Sequence, residues 1–159
     1  MLVTRTGMQA YALATSVVVV DQVVKLWFLG FGLERGESLP LVGPIRLTMV
    51  WNQGVSFGLL RADHDILRWL LVLFAVGVAA GIAWWTRNCE RLLTGMGFGL
   101  IIGGAVGNAI DRARFGAVVD FLDVTQLMFP WVFNVADSAI SVGVVLLLLD
   151  SFRREPVAA

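Results

Sequence analysis

"LLTGMGFGLIIGGAVGNAI", Leu92 to Ile110, is an apolar run about as long as a helix needs to be to cross a hydrocarbon layer of roughly 30 Å. Gly95, Gly99, Gly103 and Gly107 recur in it at every fourth position and so line one face of that helix. A groove of glycine lets the backbone of another helix come close, and in lipid such packing is a main source of helix association. The stretch therefore predicts a transmembrane helix at the centre of a bundle.

On the same ruler the chain has four spans, near 9–29, 66–86, 92–110 and 131–150. Composition agrees: 58% of the 159 residues are hydrophobic and 15% charged, and the mean hydropathy is +0.81, too oily for a soluble domain. The first span has Arg5 ahead of it, like a signal peptide, but "VVVVDQVVKLWF" (17–28) offers no small-residue cleavage site, so it reads as an uncleaved anchor. No repeat, low-complexity tract or second domain is visible, and residues 1–159 read as one domain. Twelve basic and twelve acidic residues cancel, which leaves no basic field for nucleic acid; partners are expected in or beside the bilayer. A lone Cys89 excludes an internal disulfide, and a lone His64 leaves no His/Cys cluster, so neither a metal nor a cofactor is expected. An even number of spans puts both termini on one side. The short turn at 87–91, and the acids gathered in the other two connections, favour cytoplasmic termini, although the raw count of arginines does not.

The one sizeable extramembrane piece is residues 30–65. In it Ile45, Leu47, Met49 and Trp51 alternate with Arg46, Thr48, Val50 and Asn52, the period of a strand. "NQG" (52–54) supplies turn chemistry before a second apolar stretch. A small β-hairpin or sheet on the membrane surface follows. The expected fold class is an all-α polytopic membrane protein of four transmembrane helices, with this hairpin or sheet between helices one and two.

A charge at the bilayer centre costs at least about 2.5–3.5 kcal/mol on insertion scales, so acids there face a protein interior or a wet cavity. Asp21 and Lys25, four residues apart, share a helical face and can neutralise each other, a structural ion pair. Asn108, Asp111 and Arg112 close the third span, and Asp120 follows after a short connection, flanked by "AVV" and "FL" rather than loop residues. Asn134 and Asp137 open the fourth span on the side where the third ends, which brings Asp120 and Asp137 to one level. Two carboxylates in a low-dielectric site share a proton, one serving as base to activate water and the other as acid. That is aspartyl hydrolase equipment, and it needs neither metal nor nucleophilic side chain. Ser138 has no histidine partner on this face other than His64, so a serine mechanism is weaker. Intramembrane Asp and Lys residues also build proton relays, and on pattern alone a proton-coupled carrier stays open beside the hydrolase, as does a purely structural subunit.

Five motifs, taken together and in order, resemble the bacterial lipoprotein signal peptidases, the signal peptidase II family: "DQVVK" (21–25), "NQGVSF" (52–57), "GNAIDR" (107–112), "VVDF" (118–121) and "FNVADSAI" (133–140). Val55, where the family more often has alanine, is a small departure. The resemblance implies a four-helix aspartic endopeptidase of the bacterial inner membrane, with cytoplasmic termini and an extracytoplasmic β-sheet cradling a site near the periplasmic face. Its substrates would be diacylglyceryl prolipoproteins, cut just before the lipidated cysteine; the compact set of spans, for its part, requires no more than a monomer among membrane lipid. By motif the catalytic pair is Asp120 and Asp137. Asn52, Gly54, Asn108, Asp111, Arg112 and Asn134 match substrate-binding or supporting positions, with Arg112 donating to a substrate carbonyl, Asp111 restraining Arg112 and Asn134 orienting Asp137. Asp21 and Lys25 match the supporting ion pair. Phe57 and Leu59 are expected against substrate or protein.

Overall fold

A computed structural model describes residues 3–54 and 65–152. Among these described residues four helices are long and apolar enough to cross a membrane: α1 (Arg5–Leu29), α2 (Asp65–Thr86), α3 (Leu92–Phe115) and α4 (Val135–Phe152). Thr4 caps α1, its hydroxyl accepting from Gly7 N at 3.0 Å. The same residue ties α1 to the α2–α3 turn, since Thr4 N donates to Arg87 O at 2.9 Å.

α3 is the central helix and packs on the other three. The glycines at every fourth position do what their spacing implies. A methyl placed on Gly95, Gly99 or Gly103 would come within 2.6 Å of Thr6, Ala10 or Val17, and one on Gly107 within 2.7 Å of Asp21, all on α1. A second glycine face, not anticipated from the sequence, meets α4: a methyl on Gly97 would lie 2.9 Å from Gly143 O, and one on Gly104 would collide with Ala136 O. Gly77 of α2 has nothing within 4 Å. Gly103→Ala is therefore expected to destabilise by about 1–3 kcal/mol through overpacking, whereas Gly77→Ala stabilises by up to about 1 kcal/mol through helix propensity. Thermal transitions in detergent should move in opposite directions.

A four-stranded antiparallel sheet, in the order β1 (Ser38–Val42), β2 (Ile45–Asn52), β3 (Val118–Asp123), β4 (Val132–Phe133), joins the helix ends. Three boundaries differ from the sequence reading. The hairpin of β2 is with β1, through Gly43 and Pro44, with Gly43 at φ 53; the apolar stretch after "NQG" lies outside the described residues, as do Val55, Phe57, Leu59 and His64. α3 runs on past 110 to Phe115, where Gly116 at φ 78 closes it, so Asn108, Asp111 and Arg112 sit within a continuing helix. Residues 131–134, expected as the start of the fourth span, hold β4 and the cap of α4 instead. Asn134 Oδ1 accepts from Asp137 N at 2.9 Å, which starts the helix at Val135.

Strand alternation positions the site. Leu47 and Met49 of β2, with Val119 and Phe121 of β3, pack on Phe28 of α1, the Phe28 and Phe121 rings 5.1 Å apart. The alternate residues Val50 and Asn52 of β2 and Asp120 of β3 then face the other way. Val50 and Asp120 are direct partners across the two strands.

Candidate active site

Asp120 and Asp137 open into one cavity of about 930 Å³, lined on its polar side by Asn52, Gly54 and these two carboxylates. Phe129, Ile140 and Val142 form an apolar wall. Asp120 is 2% exposed. Its Oδ1 accepts from Asn134 Nδ2 at 2.6 Å and its Oδ2 from Asn52 Nδ2 at 3.0 Å. Asp137 sits in the first turn of α4, where its Oδ1 accepts from Asn108 Nδ2 at 2.8 Å and its Oδ2 from Asn134 N at 3.4 Å. The reciprocal Asn134–Asp137 pair is a capping box, so the bonds that start the helix also orient the acid.

Burial, and then the nearby charge of Asp137, push the Asp120 carboxyl up to about 7, against hydrogen bonds from Asn52 and Asn134 that pull it down. A carboxyl of that kind holds a proton near neutrality. Asn134 gives its side-chain amide to Asp120, and only its backbone N–H to Asp137. Toward Asp137 it offers that backbone N–H and accepts the Asp137 N–H on its Oδ1, while the side-chain N–H serves the other acid.

Arg112 Nη2 donates to Gly54 O at 2.8 Å, at the rim of the cavity. Among the described residues Asp111 makes no hydrogen bond to Arg112. Instead its Oδ2 pairs with Lys25 Nζ at 2.7 Å and accepts from Val119 N at 3.1 Å. The physical reason is helical phase: Asp111 is fully buried against Lys25 of α1, whereas Arg112, one residue on, turns to Gly54 O. Asp21 mirrors it, its Oδ2 pairing with Lys25 at 2.8 Å and its Oδ1 accepting from Ala136 N at 2.9 Å. The two carboxylates of this buried cluster thus each grip the backbone N–H one residue before a cavity carboxylate. Gln22, not singled out within "DQVVK", completes the cluster by donating to Asp111 Oδ1 at 2.9 Å. Its one signal in the sequence is its place between Asp21 and Lys25.

Four membrane helices under a small antiparallel sheet define the class, a polytopic membrane protein with the fold of a bacterial membrane enzyme. One such enzyme, solved by the in meso method at 2.3 Å, superposes with a TM-score of 0.81 over 100% of this chain and 99% of its own, at 24% identity. The family model for signal peptidase (SPase) II matches residues 13–153. The lipoprotein signal peptidase of Caulobacter vibrioides is 61% identical over 155 residues, covering 96% of this chain and 92% of that one. Its counterpart in Methylorubrum extorquens is 44% identical over 161 residues, covering 97% and 90%. The chain belongs to the signal peptidase II family and is an aspartic endopeptidase.

Proposed function

We propose that the chain removes signal peptides from diacylglyceryl-modified prolipoproteins at the bacterial inner membrane, using water activated between Asp120 and Asp137. The observation that carries this reading is the pair of carboxylates, delivered by a strand and a helix start to one cavity, with asparagine amides donating to both. The ionised member of the pair takes a proton from water as its oxygen attacks the scissile carbonyl, and the protonated member hydrogen-bonds the carbonyl oxygen. As the tetrahedral intermediate collapses, a proton passes to the departing nitrogen. The signal peptide leaves with a new carboxylate and the lipidated cysteine with a new amine.

Arg112 donates to a carbonyl of the bound peptide, as it does to Gly54 O at the cavity rim. Phe129, Ile140 and Val142 offer the acyl chains an apolar face next to the carboxylates. Both termini are cytoplasmic, the sheet and cavity lie at the extracytoplasmic face, and the enzyme works as a monomer.

The test is cleavage of a diacylglyceryl prolipoprotein by the purified protein in detergent, beside the same peptide without lipid, with products identified by mass. Expected is a signal peptide ending just before the cysteine, from the lipidated substrate alone. Equal cleavage of both peptides, or of neither, overturns the proposal.

The Asp120 carboxyl at about 7 also sets a pH dependence. Below that value the dyad keeps its shared proton. As pH rises through it the proton is lost, so kcat/KM falls on its alkaline side near 7, an apparent value that belongs to the pair. Asn52→Leu removes a donor that favours the ionised form, so the alkaline limb should move to higher pH. A limb that stays put, or moves down, would show that Asn52 does not act on the titrating group.

A further inference from the structure

Three asparagine amides meet the two cavity carboxylates, and each does so with its NH₂ end. An amide can turn over, and if it did so its oxygen would face a carboxylate oxygen and repel it. Something must hold each one. Asn52 Oδ1 is held by Gly54 N at 3.1 Å and Asn134 Oδ1 by Asp137 N at 2.9 Å, both backbone donors. Asn108 differs. Its Oδ1 faces Lys25 Nζ at 3.2 Å, and Asn134 Nδ2 also reaches that oxygen at 3.2 Å. An ammonium donates and cannot accept, so the atom turned toward Lys25 has to be the oxygen, and the NH₂ is left to Asp137.

We propose that Lys25 is a positioning residue of the peptidase: its ammonium fixes the polarity of the Asn108 amide and thereby presents an N–H to Asp137. The inference rests on the dyad reading given above and goes beyond the structural ion pair with Asp21. Lys25 is 2% exposed, and its three N–H bonds find three acceptors: Asp21 Oδ2, Asp111 Oδ2 and Asn108 Oδ1. Two would suffice for an ion pair buried between helices. The third is the one that continues through Asn108 to Asp137 on α4. The same oxygen also receives Asn134 Nδ2, which donates to Asp120 Oδ1, so the Asn108 amide whose direction the lysine sets touches both sides of the dyad.

Lys25→Met keeps the length of the side chain and removes the lock, but it leaves Asp21 and Asp111 without a counter-charge. Lys25→Met combined with Asp111→Asn restores the cluster's net charge of one negative and is the informative variant. With lipidated substrate, kcat of this pair variant is expected to fall about 10- to 100-fold, as loss of an outer partner does elsewhere, while KM stays within about twofold. Adding Asn108→Leu should then cost no further kcat, because the lysine acts through that amide. The Asp111→Asn single variant, which keeps Lys25, reports what the charge change alone does, and the loss in the pair variant is read relative to it.

Wild-type kcat in the folded pair variant, losses that multiply when Asn108→Leu is added, or a change confined to KM would each overturn the proposal. So would failure of the charge-balanced variant to fold, which would make Lys25 a requirement of the fold rather than of the amide. If wild type cleaves and Asp120→Asn does not, any of these results refutes the role of Lys25 and leaves the dyad standing; if wild type never cleaves, it is the dyad reading that fails.

Discussion

Asp120→Asn and Asp137→Asn are each expected to lower the cleavage rate of lipidated substrate by about 10²- to 10⁴-fold, the usual worth of a positioned acid or base. Lost activity alone would not separate catalysis from structure, but stability does. Asp120 titrates at about 7 in the folded protein and near 3.8 as an unperturbed carboxyl. For a raised folded value, the favourable contribution is complete below 3.8 and is lost as pH rises through about 7. Wild type therefore carries an ionisation penalty at pH 8 of roughly 4 kcal/mol. A neutral amide in place of this carboxyl would carry none. It would forfeit one hydrogen bond, about 1 kcal/mol, because its NH₂ would meet a donor from Asn52 or Asn134. So Asp120→Asn should be inactive and more stable than wild type, with an advantage that grows between about pH 4 and pH 8 in thermal or urea unfolding in detergent. A purely structural acid predicts the opposite sign. If the folded variant still cuts near the wild-type rate, the two-carboxylate mechanism is wrong.

That combination of lost rate and gained stability is what a site built from burial implies. Asp120 is expensive because the strand neighbours that place it, Val119 and Phe121, pack into the core on Phe28. The same alternation hides it in the sequence. "VVDFLD" reads locally as a short connection carrying an odd aspartate, although its β-branched and aromatic residues suit a strand. Its partner β2 lies far away along the chain, Asn52 opposite Val118, and nothing local announces a pairing so remote. By contrast the helices are legible because the bilayer fixes their length, and the glycine groove because every-fourth spacing has one geometric meaning on a helix. The strand character of β2 is legible from period two, while its neighbours are not. Among the polar residues, identity is readable and connection is not: Asp111 adjoins Arg112 in sequence, yet helical phase sends it to Lys25. The direction of each asparagine amide is beyond reach, because it is decided by donors brought in from other elements.

The second large effect belongs to Asp111. Asp111→Ala takes from Lys25 one of its two counter-charges, leaving Asp21 at 2.8 Å, and it also strips the acceptor from Val119 N, a backbone group in a fully buried residue. The stranded N–H alone is expected to cost about 1–3 kcal/mol, read as a drop of the thermal transition in detergent. Asp111→Asn keeps an oxygen for Val119 N while losing the charge, so it should fall between wild type and Asp111→Ala. Equal losses in the two would mean that the Val119 bond contributes nothing. The comparison reaches the site because Val119 precedes Asp120, just as Ala136, held by Asp21, precedes Asp137. If the cluster fixes where the two carboxylates stand, whatever Asp111→Ala remains folded should show a lower kcat, while Asp111→Asn, with its grip on β3 intact, should retain most of it. Full kcat in folded Asp111→Ala would confine the cluster to stability and leave the placement of Asp120 to Asn52 and Asn134 alone.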